Sequence, residues 1–148
     1  MSIDEKITKD LVQTLEDGKD GFAKGAEKLE SEDPAAAVTF RQFSQQRHQF
    51  AEELRALAEN YGDEIHESGS AAAAVHRGWM SLKDALSGNS ASGVLDAAEQ
   101  GEDHAVSEYE KALKEPELSA RLREVVQRQA VEVKTAHDTV RAMRDAAA

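Results

Sequence analysis

The chain has 148 residues, and 18 Lys and Arg against 29 Asp and Glu give it a net charge of −11. That length suits one domain burying about two-thirds of its unfolded surface, and that charge repels phosphate backbones and anionic lipid, which argues against nucleic-acid and membrane partners. Cysteine is absent, which excludes disulfides, thiol catalysis and thiolate metal sites, and the charged opening Met1-Ser-Ile-Asp-Glu-Lys-Ile lacks the apolar run of a signal peptide, so the expected location is cytoplasmic.

Ser2 with Glu5 three residues on reads as a capping box. Ile3, Ile7, Leu11, Leu15, Phe22, Ala26 and Leu29 then recur on one helical face, predicting a first helix over residues 2–30. Asp33 before Pro34 joins an N-cap acid to a proline at the first helical position, where its missing N–H costs nothing. Phe40, Phe43, Phe50, Ala51, Leu54, Leu57, Ala58 and Tyr61 continue a stripe as far as Gly62, a residue suited to the left-handed end of a helix, so a second helix is expected over 34–61. So short a connection makes the two antiparallel.

Residues 62–90 read as a crossover: a polar stretch, then a short helix of about 71–87 with Ala72, Val75, Trp79, Leu82 and Leu86 on one face. At 1.5 Å per residue such a helix covers roughly 25 Å, enough to run along a bundle. A third helix is predicted over 92–114, facing inward with Leu95, Ala98, Ala105, Val106, Tyr109, Ala112 and Leu113. Glu115-Pro116-Glu117 breaks the chain again and sets a fourth over 116–146, presenting Leu118, Leu122, Val125, Val133, Ala136, Val140 and Met143. No segment reads as a strand or a membrane span. The expected fold is all-α, a single four-helix bundle of two antiparallel hairpins joined by the crossover. An up-down-up-down bundle is the alternative.

Three polar residues fall on apolar stripes near the middles of their helices: Arg47 between Phe43 and Phe50, Glu102 between Ala98 and Ala105, and Gln129 between Val125 and Val133. A buried guanidinium or carboxylate is tolerated only with an opposite charge and further hydrogen bonds. The phase therefore predicts a buried polar layer in which Arg47 pairs with Glu102 and Gln129 adds an amide contact. The alternative is that these long side chains extend to the edge of the bundle. Gly18, Gly21 and Gly25 lie inward on the first helix, each costing about 1 kcal/mol against alanine, which predicts close approach by a neighbour or room for a side chain as large as Arg47, the alternative being a locally irregular, kinked helix. His48, His104 and His137 phase to flanks or outer faces, and no HExxH, phosphate loop or nucleophile elbow occurs.

Leu11-x3-Leu15-x-Asp17-Gly18-x2-Gly21-Phe22, Gln46-Arg47-x2-Phe50-x3-Leu54, His76-Arg77-Gly78-Trp79-Met80 and Glu99-x2-Glu102-Asp103-x5-Tyr109 together resemble a bacterial four-helix-bundle family of unknown function related to the ferritin and rubrerythrin superfamily. The resemblance covers nearly the whole chain, and the stretch His76, Arg77, Gly78, Trp79 is its most specific element. It implies a ferritin-like bundle. Relatives in that superfamily hold a di-iron centre between a Glu on each of two helices and a Glu-x-x-His on each of the others. Glu102 fits the ligand position on the third helix. The second helix offers Arg47-x-x-Phe50 instead, the fourth offers Gln129-x-x-Glu132, and the first offers Leu15, with Asp17 off the stripe. Arg47 puts a cation where metal cations would sit.

The expected function is that of a non-catalytic, partner-binding or structural protein, stress-associated as many ferritin-like relatives are, forming a homo-oligomer and carrying no cofactor. The alternative is a divergent oxidase holding di-iron or another divalent metal through Glu99, Glu102, Glu132 and His137, which requires Glu102 and Glu132 to converge and Arg47 to point away.

Overall fold

The computed structural model describes residues 2–58 and 90–147. The predicted crossover, with its helix and its residues His76, Arg77, Gly78 and Trp79, lies outside them. Among the described residues there are four helices and no strand: α1 (Ile3–Leu29), α2 (Pro34–Leu57), α3 (Ala91–Leu113) and α4 (Ala120–Ala147).

Each helix begins where a short polar side chain meets the first free N–H groups. Ser2 Oγ accepts from the Glu5 amide at 3.1 Å, Asp33 Oδ1 from Ala36 at 3.1 Å, Ser90 Oγ from Gly93 at 3.2 Å and Ser119 Oγ from Leu122 at 3.3 Å. Such caps satisfy donors that no preceding turn can reach. The fourth helix starts at Ala120, beyond the expected Pro116. Arg123 closes the preceding turn by donating to the carbonyls of Leu113 and Glu115 at 2.8 and 2.6 Å, so Pro116 is part of that turn. The residues expected to finish the second helix, 59–61, lie outside the described residues.

The helices pack side by side, α1 against α2 and α3, and α4 against α3 and, least closely, α2. Their buried apolar residues form two clusters. One joins Leu11 and Leu15 of α1, Ala51 and Leu54 of α2, Ala105 and Tyr109 of α3, and Leu122, Val126 and Val133 of α4. The other joins Phe22, Ala26 and Leu29 to Phe40, Val94, Leu95, Ala98 and Val140. In the first cluster the early half of α1 meets the late halves of α2 and α3 and the early half of α4. It follows that α1 and α4 run one way, and α2 and α3 the other. Asp4 Oδ1 accepts from the Ser119 amide at 2.9 Å, tying the starts of α1 and α4 together. The end of α2 and the start of α3 therefore stand at opposite ends of the assembly.

Each fully buried Leu or Phe contributes about 1.5–3 kcal/mol, and Phe22 adds edge-on contacts to Phe40 and Phe43, with ring centroids 5.0 and 5.3 Å apart. Of the adjacent Val125 and Val126 on α4 it is Val126 that is buried, with Val125 only half-buried. Once the helix starts at residue 120, its inward face follows Leu122, Val126, Gln129 and Val133. No helix of the described residues is long and apolar enough to cross a membrane.

Candidate functional site

Between the two apolar clusters lies a polar layer. Arg47, midway along α2, reaches across to Glu102 of α3. Its Nη1 donates to Oε1 at 2.6 Å and its Nη2 to Oε2 at 2.7 Å, with the side chains 1% and 0% exposed. This two-pronged geometry is the strongest form of charge-assisted pairing. The remaining guanidinium donors are partly met by Gln46, whose Oε1 accepts from Nε at 3.3 Å. The cation also stands 5.2 Å from the centroid of the Phe22 ring, whose face attracts positive charge. Burial alone would lower the Arg47 pKa, but the charge and hydrogen bonds of Glu102 outweigh it and leave it raised.

The space for this side chain comes from Gly18. A Cβ there would lie 3.3 Å from Arg47 Nη1 and 3.5 Å from its Cγ. Gly25 lets Phe40 approach in the same way, since a Cβ would stand 2.9 Å from the ring. Thus two of the three inward glycines mark close approaches, one by the buried cation and one by an aromatic ring.

Gln129 is fully buried, but its amide serves a different set of partners from the pair. Its Oε1 accepts from the Tyr109 hydroxyl at 2.7 Å, and its Nε2 donates to the Phe50 carbonyl at 3.3 Å and to Glu53 Oε1 at 2.9 Å. Arg128 pairs with Glu53 in turn. Burial raises the Tyr109 pKa well above the ordinary phenol range. For Glu53, burial pushes upward, but the hydrogen bonds from Gln129 and Arg128 prevail and lower its pKa.

The four residues of the metal-binding alternative do not converge. Both oxygens of Glu102 are taken by Arg47. Glu99, 6% exposed, accepts from Arg141 Nε at 2.8 Å and pairs with Arg144. His137 is buried between α3 and α4, deeper than the flank or outer face expected from its phase. Its Nε2 lies 2.5 Å from Asp103 Oδ1 and its Nδ1 lies 3.0 Å from Asp138 Oδ1. Glu132 is exposed and lines an open groove of about 400 Å³ between α2 and α4 with Gln42, Gln45, Gln46, Gln49, Phe50 and Arg128. Among the described residues no group of three or more His, Asp or Glu side chains is placed to hold a metal ion. Each oxygen of Glu102 has one lone pair committed to Arg47, and the guanidinium stands as a fixed positive charge where a metal cation would have to approach. The donor set at this level does not fit a di-iron centre.

Two acids on α1 escape detection from the sequence. Glu16 and Asp17 are 5% and 3% exposed although both lie off the apolar stripe. Burial pushes the Asp17 carboxyl up to about 7; Gln13, donating at 3.3 Å, opposes this, and the nearby charges of Asp20 and Glu16 add to it. Periodicity assigns an off-stripe acid to solvent, so only the unbroken burial of residues 14–18 reveals them.

A family model described as a domain of unknown function (DUF2383) matches residues 5–115. The match contains Arg47 and Glu102 and ends before α4. No curated protein matches the chain.

Proposed function

Since the chain belongs to the family described as a domain of unknown function, DUF2383, we propose that it is a non-catalytic helical scaffold of ferritin-like topology that works by binding protein partners, including copies of itself. The observation that carries this reading is the Arg47–Glu102 pair. It fills the middle of the four helices with a cation and an anion that satisfy each other, at the level where a ferritin-like relative gathers carboxylates around metal. Breaking such a pair to free Glu102 as a ligand would leave an uncompensated buried guanidinium, a cost of about 3–5 kcal/mol. Support for the topology comes from the shared direction of α2 and α3, which requires a long connection between opposite ends of the assembly, supplied in sequence by residues 59–89.

The test is anaerobic loading with ferrous iron followed by elemental analysis, together with light scattering. A scaffold takes up no stoichiometric metal and scatters as a dimer or larger assembly. Stoichiometric iron that disappears in Glu102→Ala overturns it in favour of a metal centre.

A further inference from the structure

Two copies of a chain with net charge −11 repel one another, so self-association needs a face on which carboxylates do not meet. Among the described residues the outward face of α2 comes nearest to this, its one seam acid being Glu52. No Asp or Glu occurs from residue 34 to residue 51, in a chain with 29 acids in 148 positions. By contrast α3 exposes Asp96, Asp103 and Glu110, α1 exposes Asp10, Asp20 and Glu27, and α4 exposes Glu124, Glu132 and Asp138.

The exposed positions of α2 also have a usable pattern. Ala35, Val38, Gln42, Gln45, Gln49, Glu52 and Ala56 are all exposed and follow one another at alternating steps of three and four, the spacing of a coiled-coil seam. Val38, 53% exposed, is one of two large hydrophobic residues left at the surface of the described helices. Reversed, the seam matches alanine with alanine and glutamine with glutamine, and it keeps Glu52 of one copy away from Glu52 of the other. Turning a second helix antiparallel about Gln45 sets Ala35 against the partner's Ala56, Val38 against the partner's Glu52, and Gln42 against the partner's Gln49. Glutamine both donates and accepts, so facing glutamines satisfy each other without a second chemistry. The groove lined by Gln42, Gln45, Gln46 and Gln49 lies beside this seam, with Arg128 and Glu132 of α4 on its far side.

We infer that a second copy of this chain docks on α2, forming a two-fold antiparallel helix pair centred on Gln45. The contact is isologous, the same patch serving both copies, and it closes at two. This inference rests on the reading of the protein as a self-associating scaffold and adds the face and the register to it.

The absence of native cysteine makes a register test direct, because any disulfide formed reports an introduced pair. A disulfide needs Cα atoms within roughly 7 Å. Gln45→Cys alone is expected to give a covalent dimer on mild oxidation. Gln49→Cys alone is not, since its two copies stand about eight residues, roughly 12 Å, apart along the axis, whereas a mixture of Gln42→Cys and Gln49→Cys chains is expected to link. Gln45→Lys, which sets two cations face to face, weakens the dimer by about tenfold or more with helix content unchanged by circular dichroism. A dimer in light scattering that fails to link through Gln45→Cys, or that tolerates Gln45→Lys, overturns the α2 seam and leaves the scaffold reading standing. A chain monomeric at all concentrations overturns both.

Discussion

Arg47 and Glu102 stand on different helices, 55 residues apart in sequence, and bind through two parallel hydrogen bonds with neither side chain reaching solvent. Each charge is tolerated inside the apolar core because of the other. Breaking the pair by Arg47→Ala or Glu102→Ala is expected to cost about 3–5 kcal/mol, whereas replacing both together, as in Arg47→Met with Glu102→Leu, should come close to neutral. Urea unfolding of the two single variants and the double variant measures the difference. Small and equal losses from both single changes would contradict a buried pair.

Gly25→Ala sets a general rule against a local one. Alanine gains about 1 kcal/mol in helix propensity, but its Cβ would sit 2.9 and 3.0 Å from two carbons of the buried Phe40 ring. The ring has little room to retreat, so the clash should win and destabilise by about 1–3 kcal/mol. Phe40→Leu made together with Gly25→Ala should cost less than the sum of the two single changes in thermal unfolding. Strict additivity would show that the ring is not what the alanine meets.

Asp17 predicts a pH dependence with a defined sign. Its carboxyl titrates near 7 in the folded chain against an ordinary value of 3.8, so the folded state binds the proton more tightly than the unfolded one. Stability from this group is full below about pH 4, falls as pH rises through 7, and is level above that, an effect of at most roughly 4 kcal/mol. Asp17→Asn removes the titration. The stability of the variant relative to the natural chain should therefore rise between pH 4 and pH 7, and a difference that stays flat across that window would refute the shift.

Gln129 holds the Tyr109 hydroxyl and the Glu53 carboxylate together. Gln129→Leu leaves the buried hydroxyl without its acceptor and should cost about 1–3 kcal/mol. Adding Tyr109→Phe removes the stranded hydroxyl and should recover part of that loss. A double variant no more stable than Gln129→Leu alone would show that the hydroxyl finds another partner.

Much of this protein can be read from its sequence because helix periodicity and capping are local. Ser2 and Asp33 with Pro34 announce their helices through groups only three residues away, and Arg47, Glu102 and Gln129 stand out because each interrupts an apolar face. Tertiary structure alone decided the rest. Whether Gln129 would serve the Arg47 pair or Tyr109 depended on how far α4 slides along its neighbours, which no stripe encodes. The start of α4 at Ala120 followed from Arg123 closing the preceding turn onto Leu113 and Glu115. Asp17, Glu16 and His137 are buried by what packs around their helices. Periodicity reports the apolar face of a helix, and is silent on how far neighbouring helices close over its flanks.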